Sequence, residues 1–549
     1  MLFNNFRKIN PKGDLFGGVT AAIISLPLAL TFGVASGAGA EAGLWGAILV
    51  GFFAALFGGT STLISEPTGP MTVIMTAILA TMMAKNPENG LAMAFTVVMM
   101  AGLFQIILGS LKLGKYITMM PYSVISGFMS GIGIILIILQ FAPLLGHPAP
   151  PGGVIGTLNA APDLLMDIHA REVILGMGTL LILFLLPKRY TRIMPVQLSA
   201  LLLMTIVSLI LFSGADIRRI GPIPSGLPSI QWPTFTAGQV QSMFLDALVL
   251  GTLGCIDTLL TAVISDSLTR REHNSDKELV GQGIANMVSG FFGGLPGAGA
   301  TMGTVVTIQS GGKSPLSGIV RAVILLIVVL GAAKLTAPIP LAVLAAIALH
   351  VGFNILDWSF LQRVHKVSAA PTIIMYGVMI LTVFVDLIVA VGLGVFIANI
   401  ITIERLSHVQ ARNVKAISDA DDSVPLTDEE RVLLDRAKGK VLFFYLSGPM
   451  IFGVSKAIAR QHKTVKRYRA MILDLSAVPM IDVTICMALE NAIRDALEAG
   501  CAVYLYCPNR KTLHRVEALG LGELIPAHHM VSSRKEALEL ALVSIQKPK

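Results

Sequence analysis

The chain has 549 residues, 54% of them hydrophobic and only 13% charged, with a formal net charge of +8 and a mean hydropathy of +0.75; soluble domains carry about 25% charge. An ordinary soluble protein is excluded. The positive balance does not indicate nucleic acid, because the lysines and arginines fall in short loops between apolar runs, where they set orientation in a lipid bilayer.

The apolar runs have helical length, whereas barrel strands would show alternating segments of about ten residues, so an α-helical polytopic membrane protein is predicted. The opening MLFNNFRKINPKGD is basic and polar, and no small-residue cleavage signature follows it, so the first span is expected to stay in the mature protein. Seven spans are predicted near 15–37, 44–58, 68–84, 92–111, 120–145, 172–187 and 195–213. Seven more follow near 243–264, 278–293, 300–310, 316–335, 338–353, 369–385 and 387–405.

With the amino terminus inside, fourteen spans put Lys112 and Lys115, then Lys188, Arg189 and Arg192, then Arg270, Arg271 and Lys277, then Arg363 and Lys366 on the cytoplasmic side. Lys85, Arg218, Arg219 and Lys334 are the exceptions. Seven spans per half insert the second half upside down relative to the first, the arrangement of inverted-repeat transporters. Each half carries a Pro/Gly interruption at the same ordinal place: SEPTGPMT (65–72) opens the third span and LPGAGATM (295–302) the tenth.

A helix starting in mid-membrane leaves its first amides without partners, and an anion can meet them, aided by about half a positive charge from the helix dipole. Short helices starting at Thr68 and Ala300 would aim two positive ends at one point, with Gly297 and Gly299 permitting close backbone approach and Thr68 and Thr301 adding hydroxyls. The alternative is tight packing, for which Gly and Pro are also common in membrane helices. GAGATMG mimics a dinucleotide fingerprint but has no βαβ context.

Asp257 lies deep in the apolar run LVLGTLGCIDTLLTAVISDSL, where a carboxylate costs on the order of 3 kcal/mol. Thr261 is one turn on and shares its face. No mid-span Lys or Arg is expected nearby, so the partner is a proton or a bound cation, and hard oxygen ligands suit Na+; a protonated structural Asp is the alternative. Glu66, Asp266 and Asp386 are expected at span ends or loops and solvated, and His350 as a satisfied helix-end residue.

Beyond Arg405 the composition shifts. A charged linker (406–438) leads to KVLFFYLSG, RAMILDLSAV and CAVYLYC, which read as strands, and CMALENAIRDALEAG, an amphipathic helix ending at a Gly cap. A small α/β domain over 439–549 is expected. Cys255, Cys486, Cys501 and Cys507 show neither a disulfide framework nor a CxxC pair. There is no HExxH, GxSxG or Walker motif, which argues against an intramembrane enzyme and an ATP-driven pump.

At these residues the chain resembles the SulP family of anion transporters, over nearly its whole length. GDLFGGVTAAIISLPLALTFG resembles the family's first-span signature, and DKELVGQGIANMVSGFFGGLPGAG its most specific run, with Glu278, Leu279, Gly281, Gly283, Asn286 and Pro296 in place. The tail resembles the STAS domain of such proteins. The resemblance implies fourteen helices in two inverted repeats over 1–405 (repeats about 13–214 and 238–405), with an elevator-like motion of core and gate domains.

It also implies a substrate site at Thr68, Gly299, Ala300 and Thr301. Within the family the likeness is to sodium-dependent bicarbonate symporters, which implies Na+ at Asp257 and Thr261, with Gly299 and Thr301 completing its ligands. No organic cofactor and no enzymatic activity are implied. Import of bicarbonate across the plasma membrane, with a cytoplasmic STAS domain mediating a homodimer, is the expected function. A proton-coupled sulfate or dicarboxylate transporter, a channel, or a membrane-anchored STAS signalling scaffold are the alternatives.

Two departures stand out. Many members carry an Arg after the Pro/Gly turn where this chain has Gly303, so Na+ at Asp257 is expected to restore positive potential beside the helix ends. In STAS-type antagonists a phosphorylated Ser directly follows an Asp; here Val483 follows Asp482, leaving only Thr484 nearby.

Overall fold

The structure is a computed structural model that describes residues 3–4, 9–117, 121–186, 195–212, 216–222, 226–235, 238–366, 368–385, 387–420, 424–450, 454–462 and 468–546. Lys188, Arg189, Arg192 and Asp386 lie outside the described residues. The chain forms two compact units, residues 1–396 and 397–549.

The first unit is helical. Its first half runs α1 (Pro11–Ser36), α2 (Ala40–Phe57), the two-residue strand β1 (Ser65–Glu66), α3 (Gly69–Lys85), α4 (Gly90–Ser110), α5 (Gly114–Ile117), α6 (Tyr122–Leu139), α7 (Phe141–Leu144), α8 (Gly153–Met166), α9 (Ala170–Leu185) and α10 (Val196–Leu211). The second half runs α11 (Val240–Thr269), α12 (Ser275–Phe291), β2 (Ala298–Gly299), α13 (Thr301–Gln309), α14 (Leu316–Ala332), α15 (Leu341–Ile355), α16 (Trp358–Arg363), α17 (Ala369–Phe384) and the start of α18 (Leu387–Ala411), whose residues from Ile397 on belong to the second unit.

Thirteen of the fourteen predicted spans each fall on one of these helices and the fifth, 120–145, covers α6 and α7, in the order expected of two inverted seven-helix repeats. The third and tenth are the interrupted ones. At 1.5 Å per residue, the nine residues of α13 rise only about 14 Å, less than half of a hydrocarbon core about 30 Å thick, so extended chain must supply the rest. That chain is the β1–β2 pair. Helix α8 was not anticipated: GVIGTLNAAPDLLM mixes Gly, Asn, Asp and Pro with its apolar residues, and it meets α9 at 115° instead of continuing it.

Close packing comes from glycine. A Cβ on Gly102 of α4 would lie 2.5 Å from the Gly283 carbonyl oxygen, and one on Gly283 of α12 the same distance from that of Gly102. The backbones therefore touch, as small residues permit in membrane bundles. Two of the exceptional basic residues are held locally: Arg218 Nη2 pairs with the buried Glu172 at 3.2 Å, and Arg219 Nη2 donates to Ser208 Oγ at 2.8 Å.

The second unit contains a five-stranded sheet in the order β3 (Val414–Ile417), β4 (Val441–Ser447), β5 (Ala470–Ala477), β6 (Ala502–Tyr506), β7 (Met530–Val531). The β3–β4 pair is antiparallel and the other pairs are parallel. Helices α19 (Asp428–Arg436), α20 (Ser455–His462), α21 (Val483–Glu498), α22 (Arg510–Ala518), α23 (Leu521–Leu524) and α24 (Arg534–Gln546) complete it. Alternate strand residues feed two cores, one holding Phe444, Leu473 and Ile485 and the other Phe443, Ile472 and Leu538.

The stretch expected as linker over 406–438 is not bare linker. Its Val414–Ile417 pairs with β4, and Thr427 and Glu430 form a capping box that starts α19. The short strand was illegible because its four residues VKAI carry too little periodicity to separate from a loop. Gly500 ends α21 region with φ +76°, as the Gly cap predicts, and Asp482 accepts from the Ile485 amide to start that helix.

Candidate functional site

The two interruptions meet. β1 and β2 pair antiparallel with Ser65 opposite Gly299 and Glu66 opposite Ala298, and the Ala300 amide donates to the Ile64 carbonyl at 2.7 Å. Helices α3 and α13 start immediately after these strands, capped by Thr68 and Ala300 with no side-chain hydrogen bond to their first amides. Their amino-terminal groups thus retain capacity for a ligand.

Helix α11 passes behind the crossing and contributes a row of polar side chains. Thr68 Oγ1 donates to Asp257 Oδ2 at 2.8 Å. Thr261 Oγ1 donates to the Gly299 carbonyl at 2.8 Å and lies 3.0 Å from Thr301 Oγ1. Thr261 has a single hydroxyl hydrogen, so Thr301 is the donor in that second bond. Thr68, Asp257, Thr261, Gly299, Ala300 and Thr301 are therefore joined in one cluster; Asp257, Thr261 and Ala300 are buried, whereas the Thr301 side is open. Among the described residues no basic side chain pairs with Asp257, and its Oδ1 accepts no hydrogen bond.

A further residue, Thr258, was missed. Its hydroxyl accepts from the Gly299 amide at 3.1 Å. Adjacent to Asp257 in sequence, it points about 100° away around the helix, so face-sharing logic with Asp257 did not select it. The Gly297 amide donates to Asn286 Oδ1 at 2.8 Å, and the Gly297 carbonyl accepts from Asn286 Nδ2 at 3.0 Å and Gln282 Nε2 at 2.9 Å. The Pro/Gly run is thus held by side chains of α12, which use up its backbone groups away from water. Glu278 plays a similar part at the other turn, accepting from the Gly59 and Thr60 amides at 2.8 and 2.6 Å.

Glu66 requires a correction. It is buried, not solvated, and pairs with Arg321 of α14 at 2.6 Å. The Arg321 guanidinium also donates to Ser25 Oγ at 2.9 Å and to the Ala47 and Ser65 carbonyls, both at 2.8 Å. A buried pair survives where such bonds replace hydration. The signal was present, since Arg321 is a mid-span charge like Asp257, but its partner lies 255 residues away. Glu66 compensates the charge of Arg321.

Asp266 is also not free in a loop. It sits in the last turn of α11, and its Oδ2 lies 2.6 Å from His273 Nδ1. His350 lies within α15 rather than at its end, where it is buried, bonded to Asn354 at 3.3 Å and set edge-on against Phe184.

In the second unit Cys486 and Cys507 are buried free thiols, and burial pushes both up to about 11. Val483, which follows Asp482, is the exposed first residue of α21.

Comparison with known proteins gives a consistent result. The model of the sulfate permease family matches residues 12–378, and that of the STAS domain residues 434–537. The chain is 59% identical to the bicarbonate transporter BicA of Picosynechococcus, covering 98% of this chain and 96% of the relative, and 61% identical to BicA of Synechocystis over 98% and 95%. A solved transmembrane domain of a cyanobacterial bicarbonate transporter BicA shares 64% identity and a TM-score of 0.69, covering 71% of this chain and all of that one. The murine anion transporter Slc26a9, 19% identical with a TM-score of 0.82 over 98% and 92% of the two chains, shares the fold. The relatives described as BicA are transporters, and with these matches spanning its membrane helices and its tail, the chain belongs to the sulfate permease family and carries a STAS domain.

Proposed function

We propose that this protein is a sodium-dependent bicarbonate symporter that imports the anion across the plasma membrane. The observation that carries the reading is the Thr68–Asp257 bond, which sets an unpaired carboxylate directly beside the start of a helix suited to an anion. The high identity to the bicarbonate transporters supports the choice of substrate.

Bicarbonate lies between the starts of α3 and α13, at Thr68, Gly299, Ala300 and Thr301. Na+ is held by Asp257, Thr261, Thr301 and the Gly299 carbonyl, all hard oxygen donors. Without Na+, the Asp257 charge opposes the anion; two like charges about 5 Å apart at an effective dielectric of 20 repel by about 3 kcal/mol. Sodium removes that repulsion, so each ion raises the affinity for the other.

The transport domain occupies residues 1–405 and the STAS domain 439–549, the connecting stretch 406–438 contributing the edge strand described above. The amino terminus and STAS domain face the cytoplasm, as the basic loops favour. The STAS domain mediates a homodimer; a deletion that leaves a stable monomer with full transport would contradict this.

Uptake of labelled bicarbonate into proteoliposomes, with and without an inward sodium gradient, at fixed pH and with sulfate as competitor, tests the reading. Sodium-stimulated, sulfate-resistant uptake supports it. Sodium-independent uptake that steepens at low pH would instead make Asp257 a proton carrier, and absence of any anion flux would favour a signalling scaffold.

A further inference from the structure

A second cluster of donor atoms lies away from the helix crossing, on the loop between α7 and α9. His147, Asp167 and His169 each offer one ligand atom, and these atoms lie within 4.8 Å of one another. The residues come from the two ends of the segment that carries α8, and their backbones are anchored before any ion arrives. The His147 amide donates to the Ala142 carbonyl at 2.9 Å, and the His169 amide to the Leu145 carbonyl at 3.2 Å.

The side chains are close-set as well. The two imidazoles lie with their centroids 4.6 Å apart. Gly146, at φ +98°, makes room for His169: a Cβ there would fall 2.5 Å from the His169 Cβ. His147 Nε2 donates to the main-chain carbonyl of Asp167. A carbonyl only accepts, so that nitrogen carries the hydrogen, and in the neutral ring Nδ1 is then the nitrogen with a lone pair for a metal, the tautomer control common to metal-ligating histidines.

We propose that His147, Asp167 and His169 form a binding site for one transition-metal dication of the zinc class. Two imidazoles and a carboxylate match borderline ions of this kind, whereas calcium and magnesium take all-oxygen sets. His147 is half-buried, and Asp167 and His169 are exposed, so an ion reaches the site from solvent and water completes its coordination. The bound ion ties the end of α7 to the start of α9 and steadies Leu144, which packs with Ala345 and Ala346 of α15.

The test uses the full-length chain in detergent, stripped by a chelator and dialysed to equilibrium against Zn2+ alone at neutral pH. The unaltered chain is expected to hold one equivalent more than His147→Gln or His169→Gln, with Asp167→Asn binding about tenfold or more weakly. Equal zinc content in all four proteins overturns the proposal. A Co2+ titration of the unaltered chain guards against a misfolded variant: a visible band of four-coordinate cobalt that Zn2+ displaces and His169→Gln abolishes supports the site. Failure of such a band to form, or its persistence in His169→Gln, overturns it.

Discussion

The hydroxyl of Thr68 donates to the carboxylate of Asp257 across 189 residues of sequence, at 2.8 Å. That bond joins the cap of α3 to the middle of α11, and it makes the two readings of Asp257, sodium ligand or proton carrier, experimentally separable. In Asp257→Asn the amide oxygen can still accept from Thr68, so the fold is retained while the charge is lost. Sodium-stimulated bicarbonate uptake in proteoliposomes is expected to fall to the sodium-free rate. Unchanged sodium stimulation in this variant would refute the coupling scheme.

Thr261→Val removes the hydroxyl that bonds Gly299 and Thr301. One such bond to a buried partner is worth about 1–3 kcal/mol. The sodium concentration for half-maximal uptake should rise roughly tenfold or more, with the maximal rate less affected. A sodium titration of uptake reads this directly, and an unshifted midpoint would count against Thr261 as a ligand.

Arg321 and Glu66 depend on each other. Arg321→Met strands a buried carboxylate and should destabilise the protein by about 3–5 kcal/mol. Arg321→Met combined with Glu66→Gln should recover much of that loss, measured as thermal unfolding of the detergent-purified protein. A double variant as unstable as the two single changes summed would show that the pair is not coupled.

The Pro/Gly run tolerates no Cβ at Gly297, where one would lie 2.7 Å from the Glu66 carbonyl oxygen. Gly297→Ala must push apart the β1–β2 crossing and should lower both yield of folded protein and transport. Gly331→Ala, whose Cβ meets nothing within 4 Å, should behave like the parent. Thermal stability and uptake of the two variants compare them side by side.

Cys486 and Cys507 have thiols raised to about 11 by burial. The thiolate is the reactive form, so both stay protonated from pH 7 to 9 and gain reactivity only as the pH approaches 11. Iodoacetamide labelling followed by peptide mass spectrometry should find these sites largely unmodified at pH 8 in the native protein and modified after unfolding. Rapid native labelling at pH 8 would contradict their burial.

Much of the membrane fold is legible in local pattern. Long apolar runs declare their helices because lipid demands internal satisfaction of every backbone group. The two Pro/Gly interruptions announce the site for the same reason, and Asp257 declares itself by cost. Glu66 was misread because its local context, a polar stretch before a span, is that of a solvated end residue.

By itself, then, the sequence determined the helical membrane class, the order of fourteen helices, the paired breaks and the α/β tail, all consequences of composition and short-range periodicity. Only the tertiary structure decided which polar groups meet: Thr68 with Asp257, Thr258 with Gly299, Asn286 with Gly297, and Glu66 with Arg321. Such pairings join residues on different elements. They arise from packing geometry and the need to satisfy buried charges and amides, which no local periodicity records.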